Sequence, residues 1–288
     1  MGVLAPASPC PAEEIKAGCS ALERLGLKVA LNVGSGDCYP RYLAASDEQR
    51  ASCFNEFVRD PAIKALLCLR GGYGSLRILP RLSYAHFRFT PKALVGFSDI
   101  TALLLACHTR AGVVCFHGPT VSSLATADPE TMESLWAALS SSEPMVMHFS
   151  EALCLRGGRA EGSVLGGNLT TISHLLGTSF FPDLSDCILF LEDRGEPLYR
   201  IDRMLTQLMY SGSLDGVTAL ILGDFSESGA RHELNDLVLE RLASTSFPIL
   251  SGIPVGHGQR NITLPLGVSA TLDAGTGTLS YHQAATAS

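Results

Sequence analysis

The first half of the chain alternates apolar runs with segments in which apolar residues recur at helical spacing. Ile63-Lys-Ala-Leu-Leu-Cys-Leu69 is an apolar run of the kind found in strands buried on both faces. Helical spacing predicts a helix over residues 13–25, which Gly26 would end, and Ser46-Asp-Glu-Gln49 has the capping-box pattern that opens a helix. The same criteria predict strands over residues 27–33, 93–97 and 113–116 and helices over residues 46–58, 76–82, 99–111 and 128–139.

Repeated strand–helix units predict a parallel sheet covered on both faces, with sites at the carboxyl ends of its strands. From about Cys154 the chain has more glycine and more short strands, and the Gly275-Thr-Gly277 turn inside residues 270–281 predicts hairpins or a small barrel. Helices are also predicted in this part, near residues 168–176 and 199–210. We therefore predict an α/β fold with a boundary near residue 150. An N-terminal Rossmann-like domain with a parallel sheet would span residues 1–150, and a C-terminal β-rich, barrel-like α/β domain would span residues 151–288.

Composition narrows the class of protein. Of 288 residues, 46% are hydrophobic and 17% are charged, as in compact globular proteins. A net charge of -7 argues against a nucleic-acid surface, and the sequence has no secretory signal and no apolar stretch of roughly 18 residues that would span a membrane. The nine cysteines lack the spacing of a zinc site or a disulfide framework. We expect reduced thiols, no metal, no cofactor and a cytoplasmic protein.

Three separate segments place a reactive polar side chain directly after a predicted strand. They are Val95-Gly-Phe-Ser98-Asp-Ile-Thr101, Ile188-Leu-Phe-Leu-Glu192-Asp-Arg-Gly-Glu-Pro197 and Pro254-Val-Gly-His257-Gly258. A serine is a poor nucleophile until a base takes its proton, and that base needs a partner that fixes its tautomer. The order Ser, carboxylate, His therefore indicates acyl transfer through a hydroxyl.

Ser98 lies where a strand should turn into a helix, which would expose its Oγ at the sheet edge. Such a serine could equally serve only as the N-cap of the following helix. The pattern around it also lacks the second glycine of the Gly-x-Ser-x-Gly elbow of α/β-hydrolases. Arg70-Gly-Gly-Tyr-Gly-Ser75 follows another strand, and its glycines predict either an oxyanion or phosphate loop or a tight turn.

The carboxylate partner has three candidates, Glu192, Asp193 and Glu196. Adjacent strand residues face opposite sides of a sheet, so only one of Glu192 and Asp193 should reach the histidine. An alternative is that these acids only form ion pairs with nearby arginines. For the base, glycines on both sides of His257 indicate an exposed loop, whereas His117, at the end of another strand, is its competitor or a structural hydrogen-bonding residue near the site.

Together with the Ser98 segment and the glycine loop, further motifs carry a resemblance to a known family. They are Phe116-His-Gly-Pro119, Leu165-Gly-Gly-Asn-Leu169, Phe190-Leu-Glu-Asp-Arg-Gly-Glu-Pro197, Tyr199-Arg-Ile-Asp-Arg-Met204, Ile221-Leu-Gly-Asp-Phe225 and Asn261-Ile-Thr-Leu-Pro-Leu-Gly267. In this order they resemble the LD-carboxypeptidase family, which comprises muramoyl-tetrapeptide carboxypeptidases and the related microcin C immunity proteins. The similarity runs over nearly the whole chain.

The resemblance implies a Ser–Glu–His triad of Ser98, Glu192 and His257, divided between the two domains. It also implies an oxyanion hole of backbone N–H groups, at Asp99 and at either Gly71 or Gly72. Members of the family are commonly dimeric, cytoplasmic and free of metal, so a homodimer is expected.

The implied reaction is hydrolysis of the amide between an L-centre and the terminal D-alanine of murein tetrapeptide, in peptidoglycan recycling. The free carboxylate of that substrate needs a cationic or N–H-rich subsite, for which Arg70 and Tyr73 are the candidates. One alternative is a microcin immunity-type peptidase that cleaves aminoacyl- or peptidyl-nucleotide conjugates. Another, of a different class, is a non-catalytic small-molecule binding protein. A glutamine amidotransferase would normally have Cys, and not Ser98, at the nucleophile position.

Overall fold

The computed structural model describes residues 1–34 and 40–286, which form two sheets. The strands of the first sheet are β1 (Gly2–Leu4), β2 (Ala30–Asn32), β3 (Ala65–Cys68), β4 (Ala93–Gly96), β5 (Cys115–His117) and β12 (Leu264–Leu266). Their order is β12-β5-β4-β3-β1-β2, with β1 to β5 parallel and β12 antiparallel to β5. The predicted parallel sheet is confirmed, and the carboxyl ends of its strands form one edge.

Helices follow the parallel strands, largely at the predicted positions. They are α1 (Ala12–Arg24), α2 (Asp47–Arg59), α3 (Ser75–Ile78), α4 (Tyr84–Phe89), α5 (Thr101–Ala111), α6 (Val121–Leu124) and α7 (Pro129–Ser140). Helices α6 and α7 lead from β5 to the second sheet. Ser46 makes the predicted capping box at α2, and Asp128 caps α7. The helix predicted over residues 76–82 is instead the short α3 followed by a 3₁₀ turn, where Pro80 lacks the N–H that would continue an α-helix.

The second sheet has eight strands, in the order β6-β14-β13-β8-β9-β10-β11-β7. They are β6 (Val146–His148), β7 (Leu153–Arg156), β8 (Arg159–Asn168), β9 (Cys187–Arg194), β10 (Val217–Ser226), β11 (Ile249–Ser251), β13 (Ser269–Asp273) and β14 (Thr278–Tyr281). The edge strands β6 and β7 are joined only by residues 149–152, so the sheet curls until its two edges approach each other.

The centre of this sheet differs from the hairpins predicted from its glycines. Strands β8, β9, β10 and β11 run parallel, because α8 (Leu169–Leu175), α9 (Leu198–Tyr210) and α10 (Arg231–Arg241) return the chain between them. Only β13 and β14 form the predicted hairpin around residues 275–277. The carboxyl ends of β9 and β10 therefore share one edge, as those of β3 and β4 do in the first sheet.

One face of the first sheet shares a continuous core with the second sheet, and its other face packs in a separate cluster with α1, α6 and α7. Residues 101–107 of α5, which follow Ser98, have no exposed surface, and α5 contacts both β4 and β8. Strand β12 belongs to the first sheet although it lies late in the chain, and β6 belongs to the second although it precedes residue 150. The chain thus crosses between the sheets more than once, which the sequence did not predict.

Two further features concern the described residues alone. No helix among them has both the length and the apolar character needed to cross a membrane. All cysteines among them are free thiols. Cys38 lies outside the described residues.

Candidate active site

Ser98 follows β4 in a strained turn. Its backbone φ is 63°, in the left-handed region where a non-glycine residue costs about 1–3 kcal/mol and is often found at functional sites. A 3₁₀ turn, Ser98–Ile100, leads from it into α5. The serine makes no capping bond to either helix, so the interpretation of Ser98 as a simple N-cap is wrong. Among residues 1–34 and 40–286 its hydroxyl has no hydrogen-bond partner.

The glycine loop after β3 packs directly on Ser98. A Cβ added at Gly71 would lie 2.9 Å from Ser98 Cβ and 3.1 Å from its Oγ, so only glycine fits there. Gly72, with φ +99°, faces Ser8 instead. The carboxylate of Asp99 accepts a bond from the Ser75 N–H at 2.8 Å and so ties the loop to the turn. Of the two predicted oxyanion donors in this loop, Gly71 is the one that contacts Ser98.

Glu192, near the end of β9, is hydrogen-bonded to His257. His257 Nδ1 lies 2.6 Å from Glu192 Oε2, and the glutamate has no exposed surface. A Cβ at Gly256 would lie 2.7 Å from the same oxygen, so the backbone before the histidine approaches the carboxylate closely. The structure therefore brings together two residues that are 65 positions apart in sequence.

Burial and pairing shift the pKa of both partners. Burial raises the pKa of Glu192, against the opposing effect of the hydrogen bond and charge of His257. Burial would lower the pKa of His257, but the bond and charge of Glu192 outweigh it and raise that pKa above its ordinary value. Other charged groups near the imidazole are Asp193, which raises its pKa, and Arg194, which lowers it.

The other two candidate carboxylates have different partners. Asp193 points to the opposite face of β9, as strand alternation requires. There it accepts bonds from Asn168 Nδ2, from the Arg194 N–H, and from both the N–H and the hydroxyl of Thr170. Glu196 pairs with Arg200 at 3.3 Å. Only Glu192 contacts His257, and Asp193 instead fixes the start of α8.

Phe97 connects the serine half of the site to the histidine half. Its ring centroid lies 4.9 Å from that of His257, and Ser98 is the next residue along the chain. Within the described residues no hydrogen bond joins Ser98 Oγ to His257. Catalytic pairs commonly tighten to hydrogen-bond distance only when substrate is bound.

His117 lies behind these rings and is completely buried. Its ring stacks edge-on against Phe190 at 4.9 Å and Phe97 at 6.1 Å. Neither ring nitrogen has a hydrogen-bond partner among the described residues, so the structural hydrogen bonds expected of it are not observed. Burial, with a contribution from the charge of His257, lowers the pKa of His117 to about 3. His117 is therefore neutral at ordinary pH.

The rim of the site carries charges and aromatic rings. Arg194 pairs with Glu227 at 2.7 Å, and both side chains are more than half exposed. Glu227 has a left-handed φ of 58°, which no sequence signal indicated. Arg70 is exposed and makes no ion pair within residues 1–34 and 40–286. Tyr73 is about half exposed and packs edge-on against Tyr42 at 5.8 Å.

Two family models match separate parts of the chain. The sequence model described as LD-carboxypeptidase N-terminal domain matches residues 1–118, and the one described as LD-carboxypeptidase C-terminal domain matches residues 161–272. The chain belongs to the LD-carboxypeptidase family. The first match contains Ser98, and the second contains Glu192 and His257.

Individual relatives of this family align over almost the full length. The murein tetrapeptide carboxypeptidase of Pseudomonas aeruginosa is 34% identical, over 95% of this chain and 92% of the relative. The solved structure of a muramoyltetrapeptide carboxypeptidase from Oxalobacter formigenes is 31% identical and has a TM-score of 0.85, covering 98% of each chain. An MccF-like protein from Bacillus anthracis is 26% identical with a TM-score of 0.92, covering 98% of this chain and 96% of that one.

Proposed function

We propose that this protein is a serine carboxypeptidase that hydrolyses the amide between an L-centre and the terminal D-alanine of murein tetrapeptide. The observation that carries the proposal is the buried Glu192–His257 hydrogen bond of 2.6 Å, formed beside the strained turn of Ser98. The proposal is also supported by similarity, because the chain belongs to the LD-carboxypeptidase family. One relative that aligns over most of the chain is a murein tetrapeptide carboxypeptidase.

In the proposed mechanism Ser98 Oγ attacks the scissile carbonyl carbon while His257 Nε2 takes the hydroxyl proton. The same imidazolium then protonates the leaving amine of D-alanine, which departs and leaves an acyl-serine. Water, deprotonated by His257, hydrolyses that ester and restores the free serine. Glu192 accepts the bond from Nδ1–H, holds the tautomer and stabilises the imidazolium formed in each half-reaction.

The tetrahedral intermediate needs N–H donors aimed at its oxyanion. We assign this role to the backbone N–H groups of Asp99 and Gly71. Asp99 is the residue after the nucleophile, and Gly71 is the glycine in contact with Ser98, whereas Gly72 packs on Ser8. Only a backbone without a Cβ at position 71 leaves space for this approach.

The terminal carboxylate of the substrate and the charged side chain of the substrate peptide would bind at the rim of the site. Arg70 is a free exposed cation in the described part of the chain, and Tyr73 lies on the same loop. The Arg194–Glu227 pair lies on the histidine side, where Arg194 shares the face of β9 that Glu192 occupies.

We further propose that the protein acts as a cytoplasmic homodimer in peptidoglycan recycling.

The proposal is tested by D-alanine release from murein tetrapeptide and from the matched peptide ending in L-alanine. Release from the first alone is expected, together with labelling of Ser98 by a fluorophosphonate. The absence of both release and labelling in the folded protein would contradict the proposal and favour a non-catalytic binding protein.

A second candidate is cleavage of aminoacyl-nucleotide conjugates, as in microcin immunity proteins. The exposed Tyr42–Tyr73 pair favours it, since aromatic rings on loops near the site can stack on a nucleobase. Trp136 does not contribute, because it lines a cavity of about 660 Å³ with Met1, Lys64 and Val113 at the opposite edge of the first sheet. Faster hydrolysis of an aminoacyl sulfamoyl adenosine than of murein tetrapeptide, lost in Tyr73→Ala, would support this function.

A further inference from the structure

The loop that carries His257, residues 254–263, lies between β11 and β12 and outside both sheets. Hollows flank it on two sides. Cavities of about 400 Å³ and about 390 Å³ are both lined by Pro254, Arg260 and Glu151. Between these cavities Val255, Ile262 and Thr263 are buried, so the polar groups of this part of the loop need hydrogen-bond partners within the protein.

Asn261 closes the loop around His257. Its side chain is buried, and its Oδ1 accepts the Gly256 N–H at 3.0 Å. A backbone bond from the Ile262 N–H to the Pro254 carbonyl, at 2.9 Å, closes the same ring of main chain. The residue directly before His257 is thereby fixed to a residue four positions after it. These two bonds restrict the backbone conformation on both sides of His257.

Helix α7 holds this closed loop from outside. Thr131 Oγ1 accepts the Asn261 N–H at 3.0 Å, and Ser134 Oγ accepts the Thr263 N–H at 3.1 Å. Thr131 is itself buried, and its hydroxyl donates to Asp128 Oδ2 at 2.6 Å. That donation fixes the hydroxyl proton, so a lone pair of Oγ1 remains directed at Asn261.

Three further observations concern these bonds. Arg260 pairs with Glu130 and Glu151, but these ion pairs are exposed, and exposed pairs contribute little. Asn261 Nδ2 is buried with no hydrogen-bond partner among the described residues, which costs free energy. Asn261 therefore contributes through its Oδ1 and its backbone N–H. Helix α7 also lies in the segment between the two family matches, residues 119–160, so neither family match includes it.

We propose that Thr131 and Asn261 are positioning residues for the base, which fix the main chain on both sides of His257 and so set its imidazole against Glu192 and Ser98. This inference rests on the proposed role of His257 as the base. Neither residue touches the reacting atoms. Displacement of a catalytic group by about 1 Å can cost 10²-fold in rate, so loss of either bond should act on turnover more than on substrate binding.

The test compares Thr131→Val, which removes the hydroxyl and keeps the shape, with Thr131→Ser, which keeps the hydroxyl. Asn261→Leu is the second variant, and Arg260→Ala is a control on the same loop that breaks only exposed ion pairs. Four quantities are measured: kcat and KM for D-alanine release, the His257 pKa from NMR titration of ring-labelled protein, and the melting temperature. Melting shows how much of each variant is folded at the assay temperature.

Thr131→Val and Asn261→Leu should lower kcat by about 10- to 100-fold with little change in KM. They should also lower the His257 pKa towards its ordinary value, because the bond to Glu192 loosens. Thr131→Ser and Arg260→Ala should resemble the wild type in both respects. If the folded Thr131→Val and Asn261→Leu proteins keep the wild-type His257 pKa, the positioning role is overturned.

The NMR titration also separates this inference from the proposed function. If the wild type releases no D-alanine but its His257 pKa falls in the two variants as expected, the positioning role stands and the substrate assignment fails. If the wild type releases D-alanine and the two variants match it in both kcat and His257 pKa, the substrate assignment stands and the positioning role fails.

Discussion

The turn that carries Ser98 and the loop that carries His257 are held by different kinds of contact. The turn directly follows β4 and is held by Gly71 and the Asp99–Ser75 bond, at the strand ends of the same sheet. The helix that follows the turn also meets the second sheet, where Thr101 Oγ1 accepts the Asn168 N–H at 3.0 Å. The His257 loop belongs to neither sheet, and a bond between residues 130 positions apart, Asn261 and Thr131, secures it. The proposed nucleophile is held mainly by contacts within the first sheet, whereas the loop of the proposed base depends on a bond between the two halves of the chain.

This difference has a consequence for mutations. A change beside Ser98 should alter the reactivity of the serine and leave the titration of His257 unchanged. A change on the histidine side should alter both, because Glu192 sets the pKa of the imidazole and also orients it. Turnover measured together with the His257 pKa therefore distinguishes changes on the Ser98 side of the site from changes on the His257 side.

The largest effect on the histidine side is expected from Glu192→Gln, which removes the charge and keeps the shape. The imidazole then loses the partner that fixes its tautomer and stabilises its protonated form, so kcat should fall on the order of 10³- to 10⁴-fold. Steady-state kinetics of D-alanine release measure this. A decrease of only a few-fold in kcat would remove Glu192 from the mechanism.

The same pair sets the pH dependence of the reaction. The base must be neutral to accept a proton, so activity is lost as pH falls through the pKa of His257, which Glu192 raises above its ordinary value. In Glu192→Gln this pKa should decrease, and the remaining activity should persist to lower pH than in the wild type. A profile of kcat/KM against pH checks the shift. An acidic limb that does not move would contradict it.

On the nucleophile side, Gly71→Ala tests the local contact. The added Cβ would lie 2.9 Å from Ser98 Cβ, so the serine or the loop must move. A displacement of this size should lower kcat about 10²-fold. The measurement pairs kcat with the His257 pKa, which should stay at the wild-type value. A change in that pKa would mean that the two halves are not independent.

The adjacent carboxylate provides a third contrast. Asp193→Ala removes the acceptor of three hydrogen bonds at the start of α8 and of one from the Arg194 N–H, and we expect a loss of about 2–3 kcal/mol in the free energy of unfolding. Its effect on kcat should be much smaller than that of Glu192→Gln. Urea denaturation measures the first quantity. Unchanged stability with lost activity would reverse the roles given to the two acids.

The smallest effect at neutral pH is expected from His117→Phe, which keeps the aromatic contacts with Phe97 and Phe190 and should leave kcat close to the wild-type value. Because the folded pKa of about 3 lies below the ordinary 6.5, the unfolded chain binds a proton that the folded chain does not. Wild-type stability should therefore decrease as pH falls from about 6.5 to about 3, by ~1.4 kcal/mol per pH unit. The variant should lack this loss in acid titrations of unfolding. A large decrease in kcat would instead make His117 part of the catalytic machinery.

Local sequence signals predicted the structural elements around Ser98 well. The apolar run before Ser98, the helix after it and the glycine loop are neighbours along the chain or along adjacent strands, so periodicity and turn chemistry suffice. The left-handed φ of Ser98 had no such signal, since position 98 is not a glycine.

The base half could be predicted only in part. Strand alternation showed that one of Glu192 and Asp193 faces the histidine, but which face of β9 meets the His257 loop depends on the tertiary packing. The bond between Thr131 and Asn261 joins two ordinary polar residues with no shared motif. The glycines of the second sheet predicted hairpins, yet its centre is parallel, because α8, α9 and α10 return the chain between its strands.

The central claim is that Ser98 is the nucleophile of a peptidase acting on D-alanine termini. It is tested most directly by D-alanine release from murein tetrapeptide, comparing the protein with Ser98→Ala. Release by the wild type and a loss on the order of 10⁴-fold in the variant, at an unchanged melting temperature, is the predicted result. Near-normal release by Ser98→Ala would contradict the mechanism, and no release by the wild type would contradict the substrate.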